Sequence, residues 1–153
     1  MSTSPSSSTT GRLEAIWLKR ARRLPMDDYD SAHLRAGEGI LGNANLKGKR
    51  QITLLDADRW AEMCEELGTQ VDPRLRRANL FVRGIDLRDS RGRVIQVGSC
   101  RIQIHGETRP CRLMDDGHPG LQKALDPDWR GGAYGEALDD GEIRVGDAVT
   151  WFS

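Results

Sequence analysis

The apolar residues of this chain lie in short segments, and this feature limits its possible folds more than any other. Runs rich in Val, Ile and Leu that are separated by glycine and aspartate are typical of β-strands. We expect strands in segments 13–18, 50–55, 80–84, 94–97, 102–104, 133–138 and 143–152, the last interrupted by a turn. Many short strands with few helices predict a mainly β fold, an antiparallel barrel with helical additions.

One segment has helical periodicity. Asp56 is a good N-cap and Gly68 a good C-terminal residue for a helix between them. The apolar positions of this helix, at about 56–67, are Ala57, Trp60, Met63, Cys64 and Leu67. Their spacing predicts one apolar face, which places Cys64 in the core. A shorter helix is expected near 119–125, whereas the charged segment 19–30 is expected to be a solvated loop.

The length of 153 residues corresponds to about one domain. Eight of the first ten residues are Ser or Thr. Such a segment buries too little apolar surface to become ordered. We therefore expect a disordered tail over 1–11 and a single domain over 12–153.

The overall charge excludes some classes of partner. Lys and Arg number 23 and Asp and Glu number 23, so the net charge is zero, which argues against nucleic acid as a partner. No apolar run approaches the ~20 residues of a membrane span, and no secretory core is present near the N-terminus. The three cysteines are widely spaced and suggest no disulfide framework, so a reducing, cytoplasmic location is expected.

Charge is nevertheless unevenly distributed. Residues 74–93 hold seven Arg and two Asp, whereas residues 115–147 hold nine acidic residues and three basic ones. Guanidinium groups bind phosphate or carboxylate with two parallel hydrogen bonds, so the first stretch favours a small anionic ligand. The alternative is that these arginines form ion pairs with the acidic C-terminal third. Both interpretations remain open at this stage.

Cys111 is the strongest candidate for chemistry. Arg109 and Arg112 flank it and favour its thiolate, and Pro110 stiffens the backbone before it. A thiolate of this kind can attack a substrate, carry sulfur or ligate a soft metal. Cys100, at the start of a predicted strand, is expected to be buried. The three histidines have no metal-ligand spacing.

Four glycines occur between 37 and 48, which predicts a loop with special backbone angles or a close approach to another segment. Together with four other segments, this loop resembles the MOSC domain, named after the C-terminal part of molybdenum cofactor sulfurases. The matching segments are 39–42, 50–56, 76–87, 108–111 and 141–147. Their order and spacing are similar to the family over roughly residues 12–152. The resemblance implies a β-barrel of the pyruvate-kinase type.

The resemblance also implies a role with the molybdenum cofactor. The family's reductases ligate molybdenum through a cysteine thiolate, and Cys111 is the matching position. Basic residues of the family hold the phosphate of the pterin. The matching cofactor-binding candidates are Arg50, Arg76, Arg77 and Asn79, with Arg109 beside the cysteine. The implied activity is reduction of N-hydroxylated compounds, with electrons from a separate donor protein.

The sequence departs from the family in the glycine-rich loop. Many relatives continue it as Gly-Asp-Arg-His, and here it runs Gly42-Asn43-Ala44-Asn45. An alternative function is therefore a sulfur-carrier module, in which Cys111 receives a persulfide from a cysteine desulfurase and no cofactor is bound. A reductase component and a sulfur transferase both remain open. Pyridoxal phosphate belongs to a separate domain of the sulfurases, and we do not expect it to bind here.

Overall fold

The fold consists of short strands connected by turns and a few helices. The computed structural model describes residues 10–21, 24–44, 48–110 and 114–152. The strands are β1 (Gly11–Leu18), β2 (Asp27–Tyr29), β3 (Ser31–Arg35), β4 (Gly39–Ile40), β5 (Ile52–Asp56), β6 (Leu80–Arg83), β7 (Val94–Val97), β8 (Cys100–Glu107), β9 (Ala133–Ala137), β10 (Gly141–Arg144) and β11 (Ala148–Phe152). The helices are α1 (Ala57–Leu67), α2 (Met114–Gly117) and α3 (Leu121–Leu125), and 3-10 turns cover Pro73–Arg76 and Pro127–Trp129.

Within the described residues, seven strands close into a barrel. The hydrogen-bonded order is β11-β7-β8-β9-β5-β6-β1, and β1 also pairs with β11, so that the sheet joins its own start. Strand β2 extends β1 on the outside of this closure. The order β10-β3-β4 forms a separate small sheet. A closed barrel leaves few unpaired strand edges, which suits a chain of short strands.

The barrel is mixed, not wholly antiparallel as expected. Strands β5 and β6 are parallel, with Leu54 opposite Leu80, whereas the other barrel pairs are antiparallel. Helix α1 is the reason for the difference. It follows β5 directly and returns the chain to the end of the barrel where β5 began, so the next strand runs in the same direction.

Alternating side chains build the core. Every second residue of β8 is buried, which confirms the period of two expected at Ile102 and Ile104 and extends it over the whole strand. These residues pack inside the barrel with apolar residues of the neighbouring strands. A second apolar cluster lies under α1, where Trp60, Met63 and Cys64 pack against Leu121. The expected burial of Cys64 is confirmed.

Helix α1 also has the expected ends. The Oδ1 atom of Asp56 accepts hydrogen bonds from the backbone N–H groups of Asp58 at 3.0 Å and Arg59 at 3.1 Å. Gly68 ends the helix with a φ of 75°, in the left-handed region that favours glycine. On the buried face, Trp60 Nε1 donates to the carbonyl oxygen of Val71 at 2.8 Å.

The sequence prediction is wrong for one further segment and confirmed for another. The segment expected to be a solvated loop contains strand β2, which pairs with the end of β1 through backbone hydrogen bonds that need no apolar side chains. The glycine-rich segment behaves as expected, since all four of its glycines have positive φ. At Gly39 a Cβ would lie 2.9 Å from the Cβ of Gln51, so the close approach requires glycine. Among the described residues, no helix is long and apolar enough to cross a membrane.

Candidate functional site

A cleft forms where the ends of several strands lie close together. Strand β1 ends there and strands β5 and β6 begin there, because β6 pairs antiparallel with β1 and parallel with β5. The end of β8 and the start of β9 lie alongside, because Ala133, the first residue of β9, pairs with Glu107 of β8 and with Leu54 of β5. The cleft has a volume of about 240 Å³. Its described lining residues are Lys19, Arg50, Thr53, Arg76, Arg77, Ala78, Thr108, Met114 and Gly131. This lining contains four cationic side chains and no carboxylate. We call it the arginine cleft.

Arg76 connects two walls of the arginine cleft. Its Nε donates to the carbonyl oxygen of Gly131 at 2.9 Å. Its Nη2 donates to the carbonyl oxygens of Thr108 at 2.8 Å and Arg109 at 3.3 Å. This edge of the guanidinium is therefore used within the protein, where it holds the segment that follows β8. The positive charge of Arg76 still contributes to the cleft.

Arg77 points in a different direction because of its backbone. It ends the 3-10 turn Pro73–Arg76 with a φ of 61°, in the left-handed region. Its Nη2 donates to the carbonyl oxygen of Leu24 at 2.8 Å. The turn begins at Asp72, whose side chain accepts from the backbone N–H of Arg74. Hydrogen bonding to the Arg74 side chain lowers the pKa of Asp72, so this cap stays ionised.

Asn79 is buried behind the arginine cleft and is not one of its lining residues. Its Oδ1 accepts from the backbone N–H and the hydroxyl of Thr53, at 3.1 and 3.2 Å. Its Nδ2 donates to the carbonyl oxygen of Trp17 at 3.0 Å and to Oδ1 of Asn43 at 3.3 Å. The side-chain amide thus joins β1, β5 and the glycine-rich segment. Because Thr53 lines the cleft, these buried hydrogen bonds help to fix the position of the cleft wall.

Arg50 and Arg109 share a second, shallower cleft. It has a volume of about 300 Å³ and is also lined by Glu107 and Tyr134. The guanidinium of Arg50 lies over the ring of Tyr134, 5.0 Å from its centroid, which is a cation–π distance. Because Arg50 lines both clefts, they are neighbours along one surface.

Cys111, the residue to which the sequence analysis assigned catalysis and metal binding, lies outside the described residues, as do positions 112 and 113. One described residue on each side of it lines the arginine cleft. Thr108 is three positions before Cys111 and Met114 is three positions after it. Cys100 is fully buried, and this burial raises the pKa of its thiol. Among the described residues, no group of three or more His, Cys, Asp or Glu side chains is placed to hold a metal ion.

The other arginines of the 74–93 stretch are engaged elsewhere. Arg74, Arg83 and Arg88 form ion pairs, Arg91 donates to the carbonyl oxygen of His105, and Arg93 lies over the ring of Trp151. One of these ion pairs, Arg88 with Asp128, reaches the acidic C-terminal third. Among the described residues, this is the one ion pair of the stretch that fits the alternative interpretation, and the small anionic ligand stays a prediction. Exposed ion pairs account for three arginines, and Arg76 and Arg77 line the cleft.

Sequence reasoning missed several lining residues. Lys19 belonged to a segment expected to be a solvated loop, and Thr53 lay within a predicted strand. Thr108 was part of a family motif but carried no assigned role. Strand alternation is a local signal, and it cannot show which strand ends meet. The pairing registers decide that, and they join residues far apart in the chain.

Comparison with known proteins gives a family and a fold. The family model of the MOSC domain matches residues 32–150. Among solved structures, YuaD from Bacillus subtilis has a TM-score of 0.75 and 19% identity, over 92% of this chain and 94% of that protein. YiiM from Geobacillus stearothermophilus has a TM-score of 0.72 and 14% identity, over 94% of this chain and 75% of that protein. YiiM from Escherichia coli has a TM-score of 0.68 and 15% identity, over 93% and 70%. The comparison with curated proteins finds no match.

Proposed function

The chain belongs to the MOSC domain family, and on this basis we propose that it binds the molybdenum cofactor in the arginine cleft and supports reduction of N-hydroxylated compounds. A separate protein supplies the electrons. The observation that carries the proposal is the convergence of Lys19, Arg50, Arg76 and Arg77 on one cleft, beside the segments that flank Cys111.

The chemistry of the lining fits an anionic group. Four of the described lining residues are cationic and none of them is a carboxylate, which favours an anion in the cleft. Guanidinium groups match the geometry of phosphate oxygens. Arg50, Arg77 and Lys19 are the residues that would hold the phosphate of the pterin. Arg50 also faces the second cleft, which gives an extended ligand a continuous surface to follow.

The other residues orient this site. Arg76 donates to the carbonyl oxygens of Thr108 and Arg109, and so holds the backbone that leads to Cys111. We propose that the Cys111 thiolate is the molybdenum ligand, with Arg109 favouring its ionised form. When bound, the cofactor supplies two-electron chemistry at molybdenum. The protein contributes anchoring of the phosphate, the Cys111 thiolate as a ligand and a cationic surface for the approach of substrate.

Metal analysis tests the proposal. We expect protein from a molybdenum-replete host to contain close to one molybdenum per chain. Cys111→Ser should lose most of this metal, whereas Cys64→Ala, which changes a cysteine in the core under α1, should keep it. A wild-type metal content near zero that does not depend on Cys111 would contradict the proposal.

That negative result leads directly to the alternative function. In that alternative, the Cys111 thiolate takes the outer sulfur of the persulfide that a cysteine desulfurase forms from free cysteine, and the thiol of the desulfurase is released. The product is seen as a gain of about 32 Da by mass spectrometry. A persulfide on a protein without molybdenum would replace the reductase function with sulfur transfer.

A further inference from the structure

The second cleft holds charges of both signs, unlike the arginine cleft. Its described lining residues are Arg50, Glu107, Arg109 and Tyr134. It adjoins the arginine cleft, because Arg50 lines both. Arg109 also lies two positions before Cys111 in the chain. A ligand in the second cleft would therefore be a neighbour of any anion bound in the arginine cleft.

An irregularity in the sheet shapes the second cleft. The pairing of β8 with β9 shifts register between Ile104 and Gly106, so that Gly106 comes opposite Tyr134. A Cβ on Gly106 would lie 3.0 Å from the hydroxyl oxygen of Tyr134 and 3.1 Å from its Cε1. Glycine therefore lets the ring of Tyr134 lie close against β8. Bulges that shift the register in this way are frequent beside functional sites, where they redirect side chains.

Glu107 is the acidic residue of the second cleft. It is half-buried, and within the described part of the chain its carboxylate forms no ion pair or hydrogen bond, although two guanidinium groups line the same cleft. Other carboxylates close to β8 and β9 are paired. Glu136 contacts Nε2 of His105 at 2.7 Å, and Asp139 accepts from Arg101 at 2.9 Å. The fold thus uses these carboxylates and leaves that of Glu107 available to a ligand.

Arg109 supplies an available charge of the opposite sign. It is exposed, and among the described residues its guanidinium forms no ion pair, hydrogen bond or ring contact. Arg109 lies two positions after Glu107 and directly before Pro110, which favours an extended backbone at Arg109. In an extended chain, side chains two positions apart lie on one side. Both charged side chains line the second cleft, so a ligand that carries both charges can pair with each of them.

We propose that the second cleft binds small zwitterions, with Arg109 pairing with a carboxylate of the ligand and Glu107 pairing with its ammonium or amidinium group. The role of this ligand rests on the proposed function, in which it is the substrate. The substrate class is then N-hydroxylated compounds that also carry a carboxylate and a second, positively charged nitrogen group. Their reduction breaks the N–O bond, takes two electrons from the donor protein and two protons from water, and yields the N–H compound and water.

NMR titration tests the site with three compounds that share a four-carbon chain, followed at the amide signals of Glu107 and Tyr134. They are 4-aminobutanoate with both charges, butanoate with the carboxylate alone, and butylammonium with the ammonium alone. We expect wild type to bind 4-aminobutanoate about threefold more tightly than either other compound, as for one additional ion pair at a partly exposed site. Glu107→Gln should weaken the binding of 4-aminobutanoate about threefold. It should also strengthen the binding of butanoate, because a repelling charge is removed, whereas structural damage would weaken both.

Glu142→Gln is the matched control. Glu142 forms an exposed ion pair with Arg144 in the separate small sheet and does not line the second cleft. This variant should bind all three compounds as wild type does. The inference is wrong if wild type binds 4-aminobutanoate no more tightly than butanoate, or if Glu107→Gln binds 4-aminobutanoate as tightly as wild type.

The outcomes also separate this inference from the proposed function. A protein that contains no molybdenum but binds 4-aminobutanoate through Glu107 would refute the cofactor proposal and support the zwitterion site. A protein that contains close to one molybdenum per chain but does not bind 4-aminobutanoate would support the cofactor proposal and overturn this inference.

Discussion

Replacing Arg76 with lysine separates the charge of this residue from its shape. Lysine keeps the positive charge in the arginine cleft. Its ammonium group is a single point, however, and cannot reach the carbonyl oxygens of both Gly131 and Thr108 as the planar guanidinium does. We therefore expect Arg76→Lys to destabilise the fold although the formal charge is unchanged.

The size of the effect follows from the hydrogen bonds of Arg76. The carbonyl oxygens of Gly131 and Thr108 belong to buried residues and lie 2.9 and 2.8 Å from the guanidinium. The bond to exposed Arg109 is longer, at 3.3 Å, and contributes less. A hydrogen bond to a charged group contributes about 1.5–3 kcal/mol. Loss of one buried bond in Arg76→Lys should lower the free energy of unfolding by about 2 kcal/mol, and loss of both in Arg76→Met by about 4 kcal/mol.

Urea denaturation followed by circular dichroism measures this free energy. A decrease of about 2 kcal/mol corresponds to a fall in melting temperature of roughly 4–8 °C for a chain of this size. Arg88→Lys is the matched control, because Arg88 forms exposed ion pairs with Asp86 and Asp128 in the same arginine-rich stretch. It should change stability by less than about 0.5 kcal/mol. Equal stability of Arg76→Lys and wild type would refute the proposed connection between the cleft walls.

Two further predictions concern Asp56 and Gly131. Burial raises the pKa of Asp56 from 3.8 to about 6. The folded state therefore binds the proton more tightly than the unfolded state does, and the free energy of unfolding falls by about 3 kcal/mol as the pH rises from 3.8 to about 6. Asp56→Asn keeps a capping oxygen without the charge and should remove this fall in denaturation measured from pH 3.5 to 7.5; an unchanged pH profile would contradict the assignment. Gly131→Ala places a Cβ against the carbonyl oxygen of Thr108 and 3.2 Å from Pro110 Cδ. It should cost about 1–3 kcal/mol in thermal or urea unfolding, and a neutral effect would show that the cleft wall yields freely.

The sequence predicted the elements whose signals are local. Helix α1 could be placed from an apolar spacing, a capping aspartate and a terminal glycine, all within thirteen residues of one another. The alternation in β8 was also visible from sequence. The parallel pairing of β5 and β6 was not, because the pattern of each strand is the same whichever way its neighbour runs. Strand β2 has too few apolar residues to be recognised from its own sequence.

The candidate site was predicted only in part, because some of its features depend on contacts between residues far apart in the chain. Arg50, Arg76 and Arg77 were chosen from a family resemblance and from the richness in arginine, and the structure brings them to one cleft. The different environment of Asn79 could not be foreseen, since its hydrogen bonds depend on contacts with residues as far away in sequence as Trp17.

Arg76 and Arg77 are adjacent in the chain but donate to different segments, and a left-handed backbone angle at Arg77 accompanies this difference. In an extended or helical backbone, the positions of neighbouring side chains follow the regular geometry of that element. The φ of 61° at Arg77 interrupts the 3-10 turn between Arg76 and β6. A left-handed residue other than glycine costs roughly 1 kcal/mol, so the fold keeps it against an intrinsic preference. Arg76 donates to Gly131 while Arg77 donates to Leu24, and both side chains line the arginine cleft. A turn without this angle would not direct the two side chains to these two segments.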